Sequence, residues 1–534
     1  MKKRLACVLV VVLIAACTPD SADKPRVGKE REDGSANRDC SGVPTLVERV
    51  RRGWYPGRSP QLSFVVSRPH YVGRPEMPTH TGPWDFLVDV PLVLYGPGVI
   101  ARRGSIDRPA SLVDLAPTTA RLIGYEGWRR RSGRVLSEAL APGSPSPRLV
   151  VTIVWDGAGD NALEAHKRSW PFLRSVEEKG TSFARATVGS TPSNTPPIHA
   201  TIGTGAFPRV HGVVSVTQRS EPGRYVDPWA NNESTFLEVP TLGDLYDKDT
   251  GNVPQIGVVA TVNWHLGMIG HGSELEGGDR DLAALFDSSG TTYGNSTDYE
   301  VPPLSETAVF EESRLALDGS DGAIDDEWRG HDLSDPALLN SSPAFVGFQQ
   351  QMIERIIAEH DFGRDRTPDL LYVNIKQSDV AGHNWGIYSD EVGAVLAAQD
   401  DALRSLVRFL DSHVGRRRWA LAVTADHGMM PYPRDSRGWA IAGAEVKKDL
   451  NAAFDTSDNG IDLIDRVSAH GADVNASELD TNAITLDAIA EWLTHYRLAQ
   501  NAGDRSIPGY LRGRERELLF DAIVIRGRKA VVNC

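Results

Sequence analysis

The chain has 534 residues, with 71 acidic against 57 basic side chains and a formal net charge of −14 at neutral pH. That balance argues against nonspecific binding of nucleic acid through its phosphate charge. The length allows a large core, either as several domains or as one catalytic domain with big insertions.

The N-terminus reads as a targeting segment. Lys2, Lys3 and Arg4 precede an apolar run over residues 5–16, and small residues stand just before Cys17. The run is too short to span a bilayer, which takes about 20 apolar residues. It resembles a bacterial lipoprotein signal, which implies export, cleavage before Cys17, lipid on its thiol and a membrane anchor on the periplasmic side or cell surface. An ordinary secretory signal is the alternative. Residues 18–40 are polar and mixed in charge, as in a flexible tether. With Cys7 removed and Cys17 lipidated, Cys40 and Cys534 remain, and in an oxidising compartment they suggest a disulfide. Two free thiols are the other reading.

Four short apolar, β-branched runs, at 90–95, 149–154, 370–375 and 420–424, read as buried parallel strands. Helical patterns lie between several of them, as at 391–411, where Val395, Leu396, Leu403, Leu406 and Leu410 share one side. Such alternation predicts an α/β fold with a mainly parallel sheet and helices on both faces. Ligands of these sheets sit at the carboxyl ends of the strands. There the chain carries Asp156 after the 149–154 run, Asp379 and His383 after 370–375, and Asp426 and His427 after 420–424. One such Asp is more often a cap or turn former. Three in register, two with a His at a fixed offset, predict metal binding. Carboxylate with imidazole suits Zn²⁺ or another first-row divalent ion. The ligands are too many for one tetrahedral ion, and two ions roughly 3.5–4 Å apart form a common clamp for phosphoryl transfer.

Residues 190–205 read as a loop feeding a short helix, with Pro196 and Pro197 in its first turn and Thr195 at the N-cap. A helix start attracts anions, which makes Thr195 a candidate nucleophile; simple capping is the bland reading. His199 reads as a structural histidine bonded across the loop, with base and ligand as rivals, and His211 is similar.

Together these residues resemble the alkaline phosphatase superfamily, and more closely its type I phosphodiesterase/nucleotide pyrophosphatase branch. The resemblance rests on Asp156 after its strand, Thr195 four residues before His199, Thr204-Gly205, Pro208 to Gly212, Asp379 to His383 and Asp426 to Met429. It implies that Asp156, Asp426 and His427 hold the metal that activates Thr195, while Asp379 and His383 hold a second. The family's last ligand, a His near its C-terminus, has no match after Met429. Its counterpart is His80, in Thr79-His80-Thr81-Gly82 ahead of the 90–98 run and Asp114-Leu115-Ala116-Pro117-Thr118. The segment order therefore reads as circularly permuted, and a Cys40–Cys534 bridge would restore the ancestral connection. The expected divisions are 1–17 signal, 18–40 tether, 41–140 permuted core segment, 141–220 core with nucleophile, 221–364 cap insertion, 365–430 core with ligands, and 431–534 second insertion with return to the core.

The chemistry implied is a two-step displacement through a phosphothreonine on a small phosphate ester. The Asn that family members place after the Pro-x-x-His-Gly segment is missing, and residues 261–272 lack the Lys and Arg of some monoesterases. Asn194, Asn263 and His265 are the substitutes considered. Less positive charge favours diesters or pyrophosphates over monoesters. The rivals are a phosphomonoesterase, a membrane-side phospho-group transferase and a non-catalytic binding lipoprotein.

Overall fold

A computed structural model describes residues 41–533. The signal, the tether, Cys17 and the Cys40–Cys534 pairing lie outside the described residues.

The main layer is a nine-stranded sheet in the order Thr292–Tyr293, Leu282–Phe286, Ile256–Ala260, Asp369–Ile375, Leu149–Trp155, Trp419–Thr424, Leu92–Tyr95, Thr181–Thr187, Gly104–Ser111. From Leu282–Phe286 through Trp419–Thr424, five neighbours run parallel. Asp369–Ile375, Leu149–Trp155 and Trp419–Thr424 are buried at every residue. Strands covered on both faces read as continuous apolar runs rather than alternating ones. The fold is the expected α/β class. The helix Asp390–Leu410 buries the five side chains its periodicity predicted. Its Asp400 accepts from the amides of Phe172 and Leu173 at 2.8 and 2.7 Å, which fastens the first turn of the helix Pro171–Lys179 to it.

Two expectations are corrected. The run at 90–95 forms Leu92–Tyr95, which pairs antiparallel to Trp419–Thr424, Leu92 opposite Thr424. A buried apolar run reads alike in either direction, so pattern alone does not orient it. Residues 221–364 are not wholly an insertion, because they supply three strands of the main sheet. Those strands are short, and Ile256–Ala260 and Leu282–Phe286 are rich in Gly and Ala, which weakens their strand signal. Residues from both ends of the chain build a second, antiparallel sheet, in the order Ile464–Ser468, Gly471–Val474, Leu62–Val66, Phe520–Ile525, Lys529–Val532.

In that second sheet Leu62 lies opposite Ile525 and Val65 opposite Ala522. The helix Val43–Gly53 packs Val43, Val47 and Val50 against Val65, Ala522 and Val524. The early and late chain are thus joined through backbone pairing and an apolar cluster. No helix among the described residues is long and apolar enough to cross a membrane.

Candidate active site

Three parallel strands deliver their following residues to one edge of the sheet. Asp156 directly follows Leu149–Trp155, and Asp426 and His427 follow Trp419–Thr424. Asp379 lies in the first turn of the helix Gln377–Trp385, with His383 one turn later on the same face. Because Leu92–Tyr95 runs the other way, the chain before it, with His80, reaches that same edge. The donor atoms of Asp156, Asp426 and His427 lie within 4.8 Å of one another, as do those of His80, Asp379 and His383. The groups adjoin: His427 Nε2 is 3.3 Å from Asp426 Oδ2, 3.6 Å from Asp156 Oδ1 and 3.9 Å from Asp379 Oδ1. The His80 and His427 rings stack with centroids 3.5 Å apart.

The donor set fits divalent metal. His80 Nδ1 lies 2.9 Å from the Ser193 carbonyl and His427 Nδ1 lies 3.0 Å from that of Gly428. Each ring therefore carries its proton on Nδ1 and turns the Nε2 lone pair toward the carboxylates, the tautomer that metal ligation uses. Asp379 Oδ1, Asp426 Oδ2 and His427 Nε2 are buried without a hydrogen-bond partner. Leaving a buried polar group unmet costs about 1–3 kcal/mol, and a cation bound among them removes that cost. Burial, reinforced by Asp426, pushes the Asp156 carboxyl well above the usual carboxylate range, and burial pushes Asp426 up to about 7. Burial drives His427 down to about 3, so it is neutral at physiological pH. A divalent ion would reverse the pressure on the acids.

Thr195 is 2% exposed and is the first residue of the helix Thr195–Thr204, so the N-cap is Asn194 and not Thr195. The prolines tolerate the second and third helical positions, where backbone donors have no intrahelical partner, and Thr195 keeps its own amide. Its hydroxyl accepts from Lys376 Nζ at 3.0 Å. The same ammonium lies 2.7 Å from Asp156 Oδ1 and 2.8 Å from Asp379 Oδ2. Burial opposes the charge on Lys376, but Asp156, Asp379 and Asp426 hold it protonated. Against its own burial, Asp379 is held well below the usual range by Lys376 and His383. Gly157, at φ +72°, brings the backbone so close that a Cβ would lie 2.8 Å from Asp379 Cα.

His199 is fully buried, its Nδ1 2.7 Å from His265 Nδ1. The Asn374 amide donates to Asp156 Oδ2 at 3.0 Å and faces His199 Nε2 at 3.4 Å. These bonds suit a structural His199, while the donor atoms of Asp156, His199 and His265 also lie within 4.8 Å of one another, so the ligand reading stays open. His211, also buried, bonds Thr201 Oγ1 at 3.1 Å through Nε2. The other two candidate substrate contacts are engaged elsewhere. His265 is fully buried against His199, and the Asn263 amide donates to the Trp229 carbonyl at 2.8 Å. Asn194 stays a candidate, since its buried Oδ1 has no partner beside Thr195. Lys376 and Asn374 went unrecognised in the sequence. The signal was a lysine directly after a strand and three residues before Asp379, where a buried ammonium needs acids around it.

A mainly parallel α/β sheet with carboxylates and imidazoles gathered at its carboxyl edge defines the alkaline phosphatase class of folds. The crystal structure of wild-type alkaline phosphatase PafA superposes with a TM-score of 0.52 at 19% identity, covering 72% of this chain and 84% of that one. The chain belongs to the type I phosphodiesterase/nucleotide pyrophosphatase family, whose sequence model matches residues 150–513. Alkaline phosphatase PhoD of Zymomonas mobilis subsp. mobilis is 22% identical over 347 residues, 60% of this chain and 59% of the relative. Alkaline phosphatase PafA of Elizabethkingia meningoseptica is 29% identical over 121 residues, 22% of each chain. These alignments span less than two thirds of either relative.

Proposed function

We propose that the protein hydrolyses small phosphate esters through a covalent phosphothreonine on Thr195. Asp156, Asp426 and His427 hold one divalent ion and His80, Asp379 and His383 a second, with Zn²⁺ the ion this donor set suits best. Such ions supply Lewis acidity, which lowers the pKa of the Thr195 hydroxyl and offsets charge on the phosphoryl oxygens. Thr195 attacks phosphorus, the alcohol leaves, and water then cleaves the phosphothreonine. Lys376, beside the nucleophile, adds a positive charge toward the phosphate, and Asn194, the residue before Thr195, is the remaining candidate for a phosphoryl contact.

The observation that carries this reading is the meeting of His80 with Asp379 and His383, about 300 residues later in the chain. The same meeting supports the circular permutation. So do the match of the family model to 150–513, which leaves His80 outside it, and the pairing of Leu62–Val66 with Phe520–Ile525. Permutation is tolerated where chain ends lie together. The preference for diesters rested on a shortage of positive charge. Lys376 weakens that premise, and assays on both esters separate monoesters from diesters.

The test is turnover of bis(p-nitrophenyl) phosphate and p-nitrophenyl phosphate by purified protein, with and without Zn²⁺. Thr195→Ala and His80→Ala should each abolish metal-dependent turnover, with His80→Ala also losing bound metal. Full activity in His80→Ala would sink the permuted ligand set. No turnover on either ester would favour the transferase or the binding protein.

A further inference from the structure

A second cluster of acids lies away from Thr195 and shares no residue with the site above. Asp247 stands near the end of the helix Leu242–Asp249, and Asp279 and Asp281 lie in the Gly277-Gly278-Asp279-Arg280-Asp281 segment that enters the strand Leu282–Phe286. One oxygen from each lies within 4.8 Å of the others. Asp247 is 3% exposed and Asp281 5%. Asp247 Oδ1 is buried with no hydrogen-bond partner. Burial, and after it the carboxylates of Asp244, Asp247 and Asp279, push the Asp281 carboxyl well above the usual range.

The neighbouring bases do not answer this charge. Lys248 Nζ donates to the Glu276 carbonyl and Arg280 to that of Ser296. Asp244 beside the cluster is satisfied, accepting from the Thr241 and His271 amides at 2.7 Å each and meeting the His271 ring at 2.9 Å. Buried carboxylates without donors are held only by a proton or by a metal. Burial, then the charge of Asp279 and a side-chain hydrogen bond with it, raise the Asp247 carboxyl to about 8, so that in the absence of a cation the two acids share a proton.

We propose that Asp247, Asp279 and Asp281 form a separate site for a hard divalent cation, calcium. Three carboxylates without nitrogen or sulfur are hard-cation ligands, and calcium fills its remaining positions with carbonyls and water in irregular geometry. The ion ties a helix end to the start of a sheet strand. That strand pairs with Ile256–Ala260, which leads into the turn Asn263–Met268. Gly203 of the Thr195 helix lies directly on the carbonyls of Gly267 and Met268, so the cation braces the support of that helix. The inference does not depend on the hydrolase reading.

The experiment measures calcium retained by zinc-loaded protein after dialysis against micromolar to millimolar calcium, alongside melting temperature. Wild type and Asp379→Asn, which disrupts only the Thr195 site, should each retain one calcium and melt higher with it. Asp279→Asn should weaken retention by roughly tenfold or more, as loss of a charged ligand does, and the Asp247→Asn/Asp281→Asn double variant should abolish it. Asp279 is exposed, so its variant decides the matter if the double variant does not fold. Calcium lost in Asp379→Asn, or held equally by wild type and Asp279→Asn, would overturn the site. Magnesium retained in preference to calcium would overturn the choice of ion.

Discussion

Replacing Lys376 by methionine keeps the apolar stem and removes one positive charge 3.0 Å from the Thr195 hydroxyl. A monoester dianion brings roughly one more negative charge than a diester to the same place. Unit charges about 4 Å apart interact by about 4 kcal/mol at an effective dielectric of about 20. Metal ions share that charge, so a quarter to a half of the figure, about 1–2 kcal/mol, is the expected share of Lys376. Lys376→Met should therefore shift the ratio of kcat/KM for p-nitrophenyl phosphate over bis(p-nitrophenyl) phosphate by about 5–30-fold toward the diester. Zinc content has to be measured in parallel, because the same ammonium bonds Asp156 and Asp379. An equal fall on both esters would mean that Lys376 only positions the acids. An unchanged ratio at full activity would refute its place at the phosphate.

Two further outcomes concern stability. Asp400→Ala strands the amides of Phe172 and Leu173 and should cost about 1–3 kcal/mol for each unmet donor. It should appear as a lower melting temperature with unchanged kcat at low temperature, and an unmoved transition would refute the link between the two helices. Burial holds His211 down to about 3 in the folded protein, while the unfolded chain takes its proton near 6.5. The folded pKa is depressed, so this stability is present above pH 6.5 and is lost as pH falls from there toward 3, by about 1.4 kcal/mol per unit. Between pH 7.5 and 5 the melting temperature of wild type should thus fall further than that of His211→Gln. Equal falls would show that His211 does not contribute to the slope.

The sequence by itself determined the residues that gather at the sheet edge. Asp156, Asp379, His383, Asp426 and His427 each follow a buried strand by a few residues, and a strand with its turn is a local object whose signal survives in one dimension. His80 was legible only because its flanking residues resemble a known segment. The tertiary structure decided what local pattern does not carry. The direction of Leu92–Tyr95 depends on its partner, Trp419–Thr424, since an apolar run has no polarity of its own. The place of Ile256–Ala260 in the main sheet depends on pairing with Asp369–Ile375, which offsets a weak intrinsic preference. Lys376 became part of the site only when folding brought Asp156 against it beside its neighbour Asp379, because a buried ammonium is stable only where carboxylates converge. His265 looked available and proved buried on His199, since exposure is a property of the packed chain rather than of any segment in it.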